Sequence, residues 1–117
     1  MEYPTMIYKQ AYDDEVEEIE VNLIASRYTN NNTLYLGIVD VEYGEPYADL
    51  TVNLDSQNIN ENYLDTNNSK YVEEFVNRYK LGKFSGKYCS SGYCKYPLYT
   101  FDIKEIEKYC EIYTEEE

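Results

Sequence analysis

Along residues 33–54, TLYLGIVDVEYGEPYADLTVNL, apolar and polar positions fall in the order of two strands joined by a tight turn. In the second, Ala48, Leu50, Val52 and Leu54 alternate with Tyr47, Asp49, Thr51 and Asn53, the period-two pattern of a strand with one buried face. The first, over 34–41, is more evenly apolar, as in a strand covered on both faces. Between them, Tyr43-Gly44-Glu45-Pro46 brings a glycine for a positive φ and a proline that ends pairing. Upstream, Ile19, Val21, Leu23 and Ala25 face one way and Glu18, Glu20, Asn22 and Ser26 the other. This predicts a third strand with an acidic outer side, on which Ile24 is the apolar exception. The polar run TNNNT at 29–33 turns it into the hairpin, and the three strands form an antiparallel meander.

The pattern changes period after residue 54. A long polar connection, anchored by Ile59, Tyr63 and Leu64, leads to a helix capped at Asn67, Asn68 or Ser69, with Glu73 and Glu74 in its first turns. Tyr71, Val72, Phe75, Val76 and Tyr79 make one apolar stripe, and Gly82 closes the helix at the position after its C-cap. This helix is expected to lie across the sheet. Residues 83–96, KFSGKYCSSGYCKY, read as a Gly/Ser-rich loop, and 96–101 as a strand that Pro97 confines to an edge. Asp102, with Glu105 three residues on, caps a short last helix whose buried stripe is Ile103, Ile106, Cys110 and Tyr113, before a frayed acidic end at 115–117. The expectation is an α+β fold of order βββαβα: a three-stranded antiparallel meander plus a further edge strand, packed by one amphipathic helix and a short C-terminal helix. Residues 1–16 are expected to form an N-terminal arm, or a short irregular strand tied down by its tyrosines, and 17–117 a single domain.

Composition narrows the chemistry. A chain of 117 residues can bury a core without staples, and three cysteines, an odd number, argue against a secreted disulfide framework. No apolar run spans a membrane and no leader is evident, so the chain reads as soluble and cytoplasmic. Sixteen tyrosines stand beside no tryptophan and no histidine. The missing histidine removes Ser-His-Asp and Cys-His machinery and the commonest transition-metal ligand. The formal charge of −13 is uneven: residues 1–68 hold 14 acids against Lys9 and Arg27, whereas 69–117 are nearly balanced. Such a charge repels nucleic acid and anionic membranes and attracts basic surfaces.

Several motifs have plainer readings. Cys89 and Cys94, with Cys110 beyond, lack a fourth Cys or a His and are better read as reduced thiols than as a zinc site or a catalytic thiol. Residues 82–87, GKFSGK, miss the phosphate-loop register by one position and have no hydroxyl residue after the lysine. Asp55, Glu61 and Asp65 do not match a calcium loop, and a carboxylate pair of glycosidase type has no deep cleft to work in. No metal or other cofactor is expected. What remains is a set of acids, Asp13, Asp14, Glu15, Glu17, Glu18 and Glu20, then Asp40, Glu42, Glu45 and Asp49. Glu18 and Glu20 share a strand face, roughly 6–7 Å apart, and a row of carboxylates imitates the closely spaced charge of a nucleic-acid backbone.

The segments GEPYADLTVNL (44–54), YLDTNN (63–68), LGK (81–83) and SGYCKYPLYTF (91–101) resemble a family of small proteins built on a domain of unknown function. The family is one of Gram-positive bacteria and their mobile elements and phages, and the likeness covers roughly residues 17–108. It implies no activity and no catalytic residues. It implies a context in which small acidic proteins inhibit host defence, DNA mimics that block restriction or CRISPR nucleases among them.

The expected function is therefore a non-enzymatic interaction protein that offers an acidic face to a basic groove of a host nucleic-acid-binding protein. Glu17, Glu18, Glu20, Asp40, Glu42, Glu45 and Asp49 would supply charge, and Tyr35, Tyr43 and Tyr47 the anchors. The alternative is a small nucleic-acid or nucleotide module using Lys83, Lys87 and Lys95 among the tyrosines of 83–96. A homodimer through the Pro97 edge or exposed tyrosines fits either.

Overall fold

The computed structural model describes residues 3–29, 31–54, 58–68 and 70–113. Among the described residues, nine strands and two short helices follow one another as β1 (Met6–Tyr12), β2 (Glu15–Arg27), β3 (Leu34–Asp40), β4 (Glu45–Asp49), β5 (Thr51–Val52), β6 (Glu61–Leu64), α1 (Val72–Arg78), β7 (Gly82–Ser91), β8 (Cys94–Phe101), α2 (Ile103–Ile106) and β9 (Ile112–Tyr113). The first sheet runs β1-β2-β3-β4, all antiparallel, and β9 adds to β2 in parallel beside Ala25 and Ser26. The second runs β5-β6-β8-β7, again antiparallel.

This corrects the expected α+β order: the fold is mostly β, with 54% of the described residues in strands against 10% in helices. Two stretches account for the difference. Residues 6–12, expected as an arm or a short irregular strand, are a regular seven-residue strand that pairs along the whole of β2's first half and buries Met6 and Tyr8. Residues 83–96, expected as a loop, are β7 and the start of β8, joined by the two-residue turn Gly92-Tyr93. Gly92 has φ +62° while Tyr93 does not, the type II′ arrangement that matches the twist of a hairpin.

The chain changes sheets at Leu50. Its N–H donates to the Leu36 carbonyl (2.8 Å) in the first sheet, and its carbonyl accepts from Asp65 N–H (2.9 Å) beside the second. The strand expected to run unbroken through this point is thus two, β4 and β5, and Thr51 turns inward beside Leu50. Buried Asn62 fastens the joint, its amide donating to the Leu34 carbonyl (3.0 Å) and the Thr33 hydroxyl (3.3 Å). Side chains from both sheets and both helices meet in one core, including Leu36, Leu64, Phe75, Tyr99 and Ile106.

The helix ends also differ from expectation. α1 begins after Tyr71 with no side-chain cap: Asn68 instead donates to Asp65, and Ser69 lies outside the described residues. At its far end Lys80, not Gly82, takes the left-handed conformation (φ +58°). Leu81 N–H reaches the Val76 carbonyl (2.9 Å) and Lys80 N–H that of Asn77 (3.2 Å), a Schellman closure sealed by the buried pair Leu81 and Val76. Gly82 opens β7, where a Cβ would stand 2.9 Å from both the Phe101 ring and the Thr100 carbonyl oxygen. Pro97 is not on an edge strand, since β8 lies between β6 and β7. It is tolerated because β6 pairs with β8 only from Leu98 to Thr100, leaving one flank of Pro97 free. Asp102 does cap α2, accepting from Glu105 N–H (3.3 Å), but the helix is one turn long and Tyr113 is exposed.

Candidate functional site: an acidic cleft at a strand edge

β2 is 13 residues long, β3 only seven, and their pairing stops at Val21 opposite Asp40. The last bond runs from Val41 N–H to the Glu20 carbonyl (3.1 Å). Beyond it the β1–β2 pair continues alone as a ribbon to its turn at Asp13 and Asp14. The β3–β4 loop bends away, held by the Asp40 carboxylate, which accepts from Glu42 N–H (2.8 Å) and Tyr43 N–H (3.3 Å). Gly44, at φ +68°, completes the bend and donates to the Asp40 carbonyl (2.8 Å).

Between ribbon and loop lies a concavity of about 740 Å³ lined by residues 17–20, 40–43 and 45–47. It gathers most of the residues singled out in the sequence: Glu17, Glu18, Glu20, Asp40, Glu42 and Glu45 with Tyr43 and Tyr47. Among the described residues no lysine or arginine lines it. Lys9 is the cross-strand neighbour of Glu18, yet its ammonium lies against Glu74 (3.6 Å) instead. Tyr43 stands 71% exposed at the rim, while Tyr47 is half-buried with its ring edge-on to Tyr8. Glu20 accepts from the Thr5 hydroxyl (2.6 Å), which fixes one carboxylate at the floor of the ribbon.

Two predicted members lie apart. Tyr35 donates to Asp49 (2.5 Å), its ring crossing Gly37 and packing edge-on to Tyr28. Burial first, then this bond to a carboxylate, holds the Tyr35 hydroxyl well above the usual tyrosine range. The pair is already satisfied internally.

The lysine set is dispersed. Lys83 lines a second concavity of about 810 Å³ with Lys80 and Lys104 at the foot of α2, Lys87 sits in a bulge of β7, and Lys95 lies near the hairpin tip. Phe84 and Tyr88 are exposed neighbours (5.2 Å between centroids) and Tyr93 is fully exposed at the turn. Cys89 and Cys94 are free and half-buried on this hairpin, and burial pushes the Cys110 thiol up to about 11. Glu61 and Asp65 are engaged separately, by Thr100 and Asn68, and Asp55 lies outside the described residues. Among the described residues no cluster of three or more Cys, Asp or Glu is spaced to hold a metal ion, and no helix is long and apolar enough to cross a membrane.

A family model described as a domain of unknown function (DUF4313) matches residues 13–116. The chain belongs to this family. No curated protein and no solved structure matches it. The match begins at the ribbon turn and so takes in both sides of the cleft. Sequence reasoning found the charges of this family member's cleft but not its backbone. The available signal was a mismatch of length: the polar and apolar alternation of β2 starts well before β3 has residues to pair with it.

Proposed function

We propose that this protein is a non-enzymatic interaction module whose acidic cleft receives a basic element of a partner. The observation that carries the reading is the convergence of six carboxylates with Tyr43 and Tyr47 in one concavity that, among the described residues, no lysine or arginine lines. Charge of one sign in a recess steers an opposite charge toward it, and exposed tyrosines give contact area once it arrives. The concavity favours a protruding basic segment over a flat basic groove. Nucleic-acid-binding proteins are the partner class with matching charge. The resemblance to small proteins of Gram-positive mobile elements and phages makes inhibition of a host defence protein, as a DNA mimic or otherwise, the role in which such binding would serve, within the cytoplasm.

The test is capture from host lysate on immobilised protein with elution by a salt gradient, run beside the double variant E18K/E20K. A nucleic-acid-binding protein that is released by moderate salt and ignored by the variant is the expected result. Capture indifferent to both salt and charge reversal would overturn the reading. A second reading has its own observation, the exposed Phe84, Tyr88 and Tyr93 on the same hairpin as Lys87 and Lys95, residue types that bind single-stranded nucleic acid. It predicts a low-salt mobility shift lost in K87E/K95E and kept in E18K/E20K.

A further inference from the structure

A strand that lines a cavity with its face contributes alternate residues. Here Glu17, Glu18, Ile19 and Glu20 all line the cleft in succession, which requires that the backbone edge of β2 faces it. The hydrogen bonding fixes the phase. Because the Glu20 carbonyl accepts from Val41, the N–H and C=O groups of Glu20, Glu18 and Val16 point to the β3 side, while those of Glu17 and Ile19 point to β1. Past Val41 there is no β3 left, so among the described residues Val16, Glu18 and the Glu20 N–H form an unpaired edge, of which the stretch 17–20 faces the cleft.

Several other edges of the two sheets are guarded. β1 is covered by α1, with Ile7 N–H donating to the Tyr79 hydroxyl (2.7 Å). β4 carries Pro46 and a bulge at Tyr47, and β7 bulges at 85–87 around Gly86 (φ +88°) and Lys87. Bulges, prolines and covering elements are how proteins prevent added strands. The β2 edge over 16–20 is regular, free of proline and glycine, and open.

We infer that this edge is a strand-addition site, and that its occupant is an extended, basic segment of a partner protein, which continues the line of β3 along residues 16–20. The inference rests on the proposed function for its partner and adds the mode of binding. Five residues span about 17 Å, enough for one short strand. Its residues opposite Glu18 and Glu20 would be Lys or Arg, and those on the other face would meet Glu17 and Ile19. A second copy is the wrong occupant: two β2 edges brought together would set Glu17, Glu18 and Glu20 against the same acids, and facing like charges destabilise a pair. The carboxylates thus refuse self-pairing and select a cation-bearing strand.

The probe is a labelled peptide of alternating lysine and valine, about eight residues long, beside the same peptide N-methylated at every second residue. Methylation keeps charge and removes the donors a ladder needs. The expected result is salt-sensitive binding of the parent, at least about tenfold weaker binding of the methylated form, and slowed hydrogen exchange at Glu18 and Glu20. Val16→Pro, which deletes an edge donor without touching charge, should weaken the parent about fivefold to tenfold. Equal binding of both peptides would overturn strand addition while leaving the acidic-cleft reading intact. Binding of neither, or protection of these amides by dimerisation without peptide, would also overturn it. Lysate capture by charge then stands or falls on its own. The peptide pair leaves the protein unaltered, so a misfolded Val16→Pro would not obscure the answer.

Discussion

Both sheets end in a two-stranded ribbon that runs past its neighbours. β1–β2 outruns β3 by residues 15–20, and β7–β8 continues past Leu98, where β6 stops. Their chemistry is opposite. Residues 13–20 hold acids at Asp13, Asp14, Glu15, Glu17, Glu18 and Glu20, whereas 82–101 hold three lysines and no acid. Their edges differ too: the flank of β2 that β3 leaves is regular and free of proline, whereas the flank of β8 that β6 leaves carries Pro97, and β7 bulges at 85–87. A ribbon with a regular edge can recruit another strand, while one with a broken edge can only display its faces. The comparison therefore separates two kinds of surface, a backbone site on one sheet and a side-chain surface on the other.

That contrast holds only while the sheets stay joined. Asn62→Ala would leave the Leu34 carbonyl and Thr33 hydroxyl without their buried donor, and should lower unfolding free energy by about 2–3 kcal/mol in urea titration. A loss under about 0.5 kcal/mol would show that the joint lies elsewhere. Matched glycine changes then set one sheet against the other. Gly82→Ala drives a Cβ into the Phe101 ring and the Thr100 backbone at the root of the lysine ribbon, worth about 2 kcal/mol. Gly37→Ala meets the hydroxyl end of Tyr35, which can swing aside at the expense of its bond to Asp49, for about 1 kcal/mol. Equal losses would contradict this difference.

Base should act on both sheets alike. Tyr35 in the first sheet and Tyr99 in the second each donate to a carboxylate, Asp49 and Glu73, and burial with these bonds raises both hydroxyls above the ordinary 10.0. Raised in the folded state, they contribute stability that is complete below pH 10 and fades as pH climbs through their folded values, because the unfolded tyrosines release protons first. Denaturation midpoints should fall above pH 10, less steeply in Tyr35→Phe and in Tyr99→Phe. A steeper fall in either variant would refute the assignment. The smallest effects are gains. Lys80→Gly relieves a left-handed lysine and should add about 1 kcal/mol, and Asp13→Gly, where aspartate already tolerates φ +49°, about half of that.

What the sequence disclosed follows from which residues have one buried face. β2 and β3, the Gly44 turn, the stripe Val72, Phe75 and Val76, and the Asp102 cap were all legible because burial imposes a period or a cap imposes a residue. β7 was not: its outer half is exposed on both faces, so Gly, Ser and Lys fill it and it reads as a loop until β8 pairs with it. β1 was obscured by Ile7 and Ala11, which interrupt the alternation of Met6 and Tyr8. The acids of the cleft could be named from charge alone, but Tyr35 and Asp49 were grouped with them because nothing local shows that they satisfy each other.

The parallel bridge of β9 to Ala25 and Ser26 has a consequence for the order of assembly. Each other strand pairing of the first sheet joins neighbours in the chain and can form as soon as they emerge from the ribosome. This one waits until Ile112 and Tyr113 have been made, and it closes a loop around the entire second sheet. Closing so long a loop is slow compared with closing a hairpin. During synthesis the first sheet would therefore stand with its β2 flank bare near Ala25 while the acidic ribbon is already formed, until β9 latches onto that flank.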